Sequence, residues 1–228
     1  MGIIEIKEPT PMDTLLWYVE IALDYGFQML PCVLAAALVF FCQIPWRKRR
    51  LTRRGLVSGS LREGALLLFV VFTMGLAALT LSPPGFWYQL LYGYPITFQF
   101  GLNHGFFWQI TIIQDLLQMG SWSFFMLLGN LCMFAPLGFF PALLWSAPRW
   151  WKSALIGFCA SAFVEVFQLF LPRSSDINDI ILNTFGALCG FWIYLLLRRL
   201  APRAAAKFKC RQLEVPDGRN TGDTAAPA

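Results

Sequence analysis

Polar side chains occur within several strongly apolar stretches of this chain, where a lipid-facing helix would not tolerate them. The most unusual is Glu165, which lies four residues after Ser161 and three residues before Gln168. This spacing places the three side chains on one face of a helix. A carboxylate inside a bilayer is costly, and it is usually kept for binding or for proton transfer. Glu165 is therefore the leading candidate for a functional residue.

A second polar stripe begins the next apolar stretch. Asp176, Asp179 and Asn183 follow an i, i+3, i+7 pattern, and Arg173 lies in the short link before them. Asn130 is a polar group within an earlier stretch. Because neighbouring stretches run antiparallel, all of these side chains fall in the same outer third of the bilayer. We predict one ligand-binding site, made of Asn130, Glu165, Gln168, Arg173, Asp176, Asp179 and Asn183.

These residue types support more than one chemistry. Carboxylate and amide groups can hydrogen-bond a headgroup, and Arg173 suits a phosphate. If the protein is an enzyme, Glu165 is the expected general base, and Asp176 with Asp179 could hold a divalent cation. Otherwise we expect no cofactor and no metal site, since the six cysteines form no CxxC pair. Structural roles stay open too: Asp176 suits a helix N-cap, Asp179 the positive helix end, and the asparagines interhelical hydrogen bonds.

The composition requires a membrane around these stretches. Of the 228 residues, 57% are hydrophobic and only 14% are charged, whereas soluble domains carry roughly a quarter charged residues. A span needs about 20 mostly apolar residues, because lipid offers the backbone no hydrogen bonds. The sequence therefore predicts an all-α, polytopic transmembrane helix bundle over residues 26–200, with five spans at residues 26–44, 64–81, 122–145, 153–171 and 180–197.

The distribution of lysine and arginine predicts the orientation of the bundle. In a five-span arrangement, every basic residue except Lys7 and Arg173 falls on one side. Basic loops stay in the cytoplasm, so residues 1–25 form an external segment and the carboxyl terminus is cytoplasmic. Charges beside the spans suit anionic lipid headgroups, and we expect no nucleic-acid partner. Residues 201–228, rich in alanine, proline and charge, predict a disordered tail.

The external loop, residues 82–121, contains no lysine or arginine and many aromatic residues. Aromatic side chains favour the headgroup level of a bilayer. Within the loop, four apolar residues share one helical face, with polar residues opposite. We predict a lid on the outer leaflet that includes an interfacial helix, and a re-entrant segment stays open as an alternative. The four residues of the apolar face are Trp108, Ile112, Leu116 and Met119.

Several of these residues lie in blocks that resemble the VanZ-like family. Residues 129–139, GNLCMFAPLGF, resemble its GN-x-x-x-F-x-P-x-G signature, and residues 161–168, SAFVEVFQ, resemble its S-x-x-x-E-x-x-Q block. Residues 173–186 resemble its R-x-x-D-x-x-D-x-x-x-N-x-x-G block, and residues 80–83, TLSP, resemble its T-L-x-P corner. The resemblance extends over residues 65–197, with the blocks in the family's order.

The resemblance implies a multi-pass protein of the bacterial plasma membrane. The namesake of the family is associated with reduced susceptibility to the glycopeptide teicoplanin, and no particular enzymatic activity is implied. We therefore expect a protein that binds an envelope lipid or a lipid-linked cell-wall intermediate in the outer-leaflet site, with an effect on glycopeptide susceptibility. Two alternatives stay open: a membrane-embedded hydrolase or transferase acting on a polyprenyl-linked substrate, and a small transporter or flippase.

Overall fold

The computed structural model describes residues 11–83, 85–95, 106–107, 109–117, 121–145, 147–171 and 175–213. Most of them are helical, which confirms the predicted all-α class. The helices are α1 (Pro11–Thr52), α2 (Ser60–Leu81), α3 (Phe86–Tyr92), α4 (Ile112–Leu117), α5 (Ser121–Leu144), α6 (Trp150–Gln168), α7 (Ile177–Leu200) and α8 (Pro202–Lys207).

Four two-residue strands join segments that are distant in the sequence. They are β1 (Leu56–Val57), β2 (Phe106–Phe107), β3 (Ser175–Asp176) and β4 (Arg211–Gln212). Strand β1 pairs with β4 in an antiparallel manner, and β2 pairs with β3 in parallel. Each pair fastens a connecting segment to one end of the helix bundle.

Within the described residues, five helices are long and apolar enough to cross a membrane: α1 from Leu23 onward, α2, α5 from Leu127 onward, α6 and α7. The predicted multi-pass bundle is thereby confirmed, and most boundaries differ by only a few residues. The largest difference is in α1, where the span predicted at 26–44 is part of a helix of 42 residues. The basic residues after position 44 are good helix formers, so the helix continues. Residues 11–25, predicted as an external segment, belong to α1 as well, and residues 1–10 lie outside the described part.

The centre of the bundle is the contact between α5 and α7. A Cβ atom on Gly190 would overlap the backbone oxygen of Ala135, and one on Gly138 would overlap the backbone oxygen of Ala187. Glycine is therefore required at both positions for the two backbones to meet. Small residues at helix contacts are typical of membrane bundles, where close packing takes the place of the hydrophobic effect.

The two ends of the bundle differ in charge. We call the end where α1, α5 and α7 finish the basic end, and the opposite end the polar end. At the basic end, the chain after α7 folds back through α8 and β4, and the Leu213 amide donates to the Gly55 carbonyl at 2.8 Å. The prediction of a disordered tail is therefore wrong for residues 201–213. Residues 214–228 lie outside the described part.

The contacts of Lys209 explain why the composition of this segment did not predict that it is folded. Its ammonium donates to the backbone carbonyl of Ala142 at 2.8 Å and to that of Trp145, at the carboxyl end of α5. Burial, together with repulsion by Arg198 and Arg62, lowers the pKa of Lys209 from its usual value. A charged residue here meets the unpaired carbonyls of a helix end, where a cation is favourable.

Candidate functional site

The amino end of α7 forms one wall of the polar end. Asp176 is its N-cap, because the Asp176 carboxylate accepts a hydrogen bond from the Asn178 amide at 2.9 Å. Asp179 lies in the first turn, where the helix dipole favours a negative charge. The structural role considered for Asp176 is thus observed, but the residue also makes a second contact. Its own amide donates to Glu165 Oε2 at 3.0 Å.

Glu165 is enclosed between α6 and the turn that leads into α7. Its side chain is only 2% exposed, and Asp176 and Asp179 both repel its carboxylate. Beside it lies Ser175, which is completely buried and whose hydroxyl faces the Glu165 carboxylate. We call Glu165, Asp176 and Asp179 the carboxylate cluster.

A chain of hydrogen bonds links the cluster to α5 and α6. Asn130 Nδ2 on α5 donates to Asp179 Oδ1 at 2.7 Å. The Ser161 hydroxyl on α6 donates to the Asp179 backbone carbonyl at 3.4 Å and accepts from Asn183 Nδ2 at 2.9 Å. Polar residues from three spans therefore meet at one place, as their positions in the sequence predicted.

Two predicted site residues are not part of this hydrogen-bonded group within the described structure. Gln168 is buried, and its amide donates at 3.4 Å to the backbone carbonyl of Thr80, so it fastens α6 to the end of α2. It follows the same helical stripe as Glu165 but turns toward a different neighbour. Arg173 lies outside the described residues. The two remaining residues of the stripe, Ser161 and Glu165, both contact the chain segment at the start of α7.

No metal centre is evident in the part of the chain that the structure describes. That part contains no group of three or more His, Cys, Asp or Glu side chains placed to hold an ion. The divalent cation considered at Asp176 and Asp179 for an enzyme stays a prediction.

An apolar groove of about 810 Å³ runs between α6 and α7 on the outer surface of the bundle. Its walls extend from Phe158 to Leu169 on α6 and from Ile177 to Leu188 on α7. At 1.5 Å per residue each wall is about 16 Å long, close to half of the ~30 Å hydrocarbon core of a bilayer. Glu165 is one of the lining residues, so the groove meets the carboxylate cluster at its polar end.

A match to a protein-family model identifies the family of the chain. The family model for VanZ/LLP1 matches residues 29–198. The chain belongs to the VanZ/LLP1 family. The match spans all seven predicted site residues and confirms the resemblance seen in the motif blocks. It also begins well before residue 65, so the membrane part of α1 and the basic loop belong to the VanZ/LLP1 region, which the blocks alone did not indicate. No curated protein and no solved structure matches the chain.

One buried residue beside the predicted site was not singled out by the sequence. Asn178 is 6% exposed, and its amide donates to the carbonyl of Gln109 at 3.0 Å and to the hydroxyl of Thr111 at 3.1 Å. Its side-chain oxygen accepts from the Thr111 amide at 3.1 Å. Together with the β2–β3 pairing, these bonds attach the external loop to the start of α7. The sequence around Asn178 does not indicate a hydrogen-bond partner so far away in the chain.

The predicted interfacial helix is present in part. Helix α4 covers Ile112–Leu117, and α3 is a second short helix in the same loop. Trp108 and Met119, assigned to the apolar face, lie outside the described residues of this VanZ/LLP1 chain.

Replacing Asn178 by alanine is expected to release the external loop from α7. Three side-chain hydrogen bonds to the loop are lost, each with a net value of about 0.5–1.5 kcal/mol, so the amides of residues 109–117 should exchange with deuterium about tenfold faster or more. Hydrogen exchange followed by mass spectrometry measures this. The matched control is Thr184→Ala, which removes a bond within α7 to Ile180. Equal exchange of the loop in both variants would show that Asn178 does not hold it.

Proposed function

We propose that this protein binds an envelope lipid or a lipid-linked cell-wall intermediate at its polar end. The headgroup lies at the carboxylate cluster, and a hydrocarbon chain lies in the groove between α6 and α7. One observation carries the proposal: Glu165, 2% exposed, belongs to the polar cluster and also lines the apolar groove. A site with adjoining polar and apolar parts suits an amphiphile, and about 810 Å³ is within the usual range of ligand pockets.

In the proposal the polar end faces the outer leaflet of the bacterial plasma membrane. Every lysine and arginine among the described residues belongs to the other half of the bundle, and the positive-inside rule assigns that half to the cytoplasm. The groove has the length of a single leaflet. A lipid of the outer leaflet can therefore enter it sideways without leaving the bilayer. Arg173, next to the cluster in sequence, suits the phosphate of such a lipid.

Helix α3 supplies the aromatic lid of the proposed site. The indole of Trp87 donates to the backbone carbonyl of Gln28 at 2.8 Å, which attaches α3 to α1. Tyr88, Tyr92 and Tyr94 remain exposed. Amphipathic aromatic side chains favour the headgroup level, so α3 would rest there beside the bound lipid.

A second lipid contact is proposed at the basic end. A cavity of about 370 Å³ is lined there by Arg149 and Lys152 together with Phe69 and Trp145. Cations above apolar side chains suit an anionic lipid of the cytoplasmic leaflet. This contact would anchor the protein and is separate from the site at the polar end.

The lipid that copurifies with the protein tests the proposal. We expect mass spectrometry of the purified full chain to detect a retained lipid, and Glu165→Gln to reduce its amount about tenfold, the effect of losing one charge-assisted hydrogen bond. Glu20→Gln is the matched control, because Glu20 is an exposed carboxylate on α1. Equal amounts of lipid in all three proteins, or none in any, would contradict the proposal.

An effect on antibiotic susceptibility is the proposed cellular consequence. A protein that binds a lipid-linked cell-wall intermediate changes the amount of that intermediate to which a glycopeptide such as teicoplanin can bind. Cells that carry the wild-type protein or the Glu20→Gln variant should then be less susceptible than cells without it. Cells that carry Glu165→Gln should resemble cells without the protein. If deletion of the gene leaves teicoplanin susceptibility unchanged, the proposed effect on resistance is wrong. Lipid binding is tested separately, by the copurification experiment.

A further inference from the structure

Three arginines at the end of α1 surround a cavity on the outside of the bundle. The cavity has a volume of about 310 Å³, and its lining residues in the described part of the chain are Trp46, Arg49, Arg50 and Arg53. Positions i, i+3, i+4 and i+7 share one face of a helix. The backbone keeps a helical turn up to Arg53, whose amide donates to the Arg49 carbonyl at 3.1 Å. These four side chains therefore form one surface, which we call the arginine face.

Arg47 belongs to the same basic run but faces α2. It donates to Glu63 Oε2 at 2.5 Å, and its guanidinium lies 3.9 Å from the centre of the Phe40 ring. Arg47 therefore uses its charge within the protein, at the contact between α1 and α2. The four residues of the arginine face are all exposed. Their charges are directed to the surroundings of the bundle.

The arginine face lies where α1 leaves the hydrocarbon of the bilayer. Residues 25–46 contain no charged side chain, and the basic run begins at Arg47. Trp46 is 61% exposed, and the Arg50 guanidinium lies 5.4 Å from the centre of its ring. Exposed tryptophan is typical of the headgroup level of a membrane. A cation held beside it lies at the level of the lipid phosphates.

The spacing of the arginines indicates how many phosphates the ligand carries. A guanidinium matches one phosphate with two parallel N–H···O bonds. Arg49 and Arg53 are one turn apart, about 6 Å along the helix axis, and Arg50 lies between them. A lipid with one phosphate would compensate only part of this positive charge. When two phosphates belong to one molecule, binding of the first brings the second to the adjacent turn, so the affinity increases.

We propose that the arginine face binds a lipid of the cytoplasmic leaflet whose headgroup contains two phosphodiester groups. The phosphates contact the guanidinium groups of Arg49, Arg50 and Arg53, and the Trp46 ring lies against the adjoining glycerol and acyl carbons. The arginine face is separate from the polar end and from the cavity beside Arg149. Failure of this inference would therefore leave the proposed function unchanged.

Lipids that carry no net charge, one phosphodiester charge or two such charges test the inference. The full chain in detergent, freed of copurified lipid, is titrated with phosphatidylcholine, phosphatidylglycerol and cardiolipin of identical acyl chains. Binding is followed by native mass spectrometry, and cardiolipin is compared with phosphatidylglycerol at equal phosphate concentration. We expect cardiolipin to bind about tenfold more tightly than phosphatidylglycerol, and phosphatidylcholine to bind most weakly.

Two triple variants connect this preference to the arginine face. Arg49→Gln/Arg50→Gln/Arg53→Gln should bind cardiolipin about tenfold more weakly than the wild type. Replacing the same three arginines by lysine keeps the charge that orients the protein but removes the guanidinium fork, so the affinity should be intermediate.

The matched control removes the same charge from exposed residues elsewhere at the basic end. It is Arg199→Gln/Arg203→Gln/Lys207→Gln, and it should bind cardiolipin as the wild type does. Thermal unfolding of each variant shows whether it is folded. If the glutamine variant is not folded, the lysine variant decides, and wild-type affinity for cardiolipin in that variant would overturn the inference.

Two further results would contradict the inference. Equal affinity for cardiolipin and phosphatidylglycerol would show that one phosphate is sufficient. A preference for cardiolipin that is unchanged in the glutamine variant, and is lost in Arg149→Gln/Lys152→Gln, would show that the lipid binds at the cavity beside Arg149 instead.

Discussion

Gly190→Ala should lower the apparent unfolding temperature of this protein strongly, because the added methyl group has no room at the contact between α5 and α7. The new Cβ would overlap the backbone oxygen of Ala135 and crowd the backbone of Phe139. Backbone atoms of a facing helix cannot turn aside as a flexible side chain can, so α5 and α7 must separate. We expect a loss of about 3 kcal/mol, at the upper end of the usual cost of overpacking.

Gly129→Ala is the matched control for this prediction. Gly129 is a glycine on α5, and nothing lies within 4 Å of the position that its Cβ would take. Alanine is a better helix former than glycine by about 1 kcal/mol, so this variant should be as stable as the wild type or slightly more stable. Tryptophan fluorescence during heating in detergent compares the proteins. If the two alanine variants unfold at the same temperature, the close α5–α7 contact is absent.

Asn130→Leu should also destabilise the protein markedly, because it removes the amide that donates to the Asp179 carboxylate. Asn130 Nδ2 donates to Asp179 Oδ1 at 2.7 Å across the α5–α7 contact. An acceptor left unpaired in a partly buried position costs about 1–3 kcal/mol, and more when it is charged. Repulsion from Asp176 adds to this cost, since the amide no longer offsets it. The same thermal unfolding measurement tests the prediction.

The double variant Asn130→Leu/Asp179→Leu separates the hydrogen bond from the shape of the site. When both polar partners are replaced by apolar groups, no unpaired charge remains, and the stability should return most of the way to that of the wild type. A double variant that is no more stable than Asn130→Leu alone would show that the cost came from packing. Together with the wild type and the two single variants, Asn130→Leu and Asp179→Leu, the double variant also gives the coupling energy of the pair.

Several features of the protein could be predicted because they depend on residues that are close in sequence. The apolar stretches alone gave five spans, since a helix in lipid satisfies its own backbone and needs only length and apolar side chains. Helical periodicity placed Ser161 and Glu165 on one face and Asp176, Asp179 and Asn183 on another. Antiparallel connectivity then brought Asn130, Glu165 and Asp179 to the same end. In the structure Asn130 contacts Asp179, and Glu165 contacts Asp176.

The remaining features were decided by tertiary contacts. Gln168 shares a stripe with Glu165, yet it hydrogen-bonds the Thr80 carbonyl, because periodicity does not say which neighbour each part of a stripe meets. Asn178 holds the external loop, and Lys209 holds the segment after α7, largely through backbone carbonyls. Every residue has a backbone carbonyl, so such partners leave no trace in composition. The groove between α6 and α7 likewise arises from how two helices pack.

By itself, the sequence determined a multi-pass helical protein of the VanZ/LLP1 family, and it predicted the end of the bundle at which Asn130, Glu165, Asp176, Asp179 and Asn183 lie. Hydropathy and periodicity are local properties, and they survive in the folded chain. Only the tertiary structure decided that Glu165 joins a carboxylate cluster to an apolar groove, and that residues 201–213 fold back onto the basic end. Both depend on the rotation and approach of helices that are distant in sequence, which no local pattern specifies.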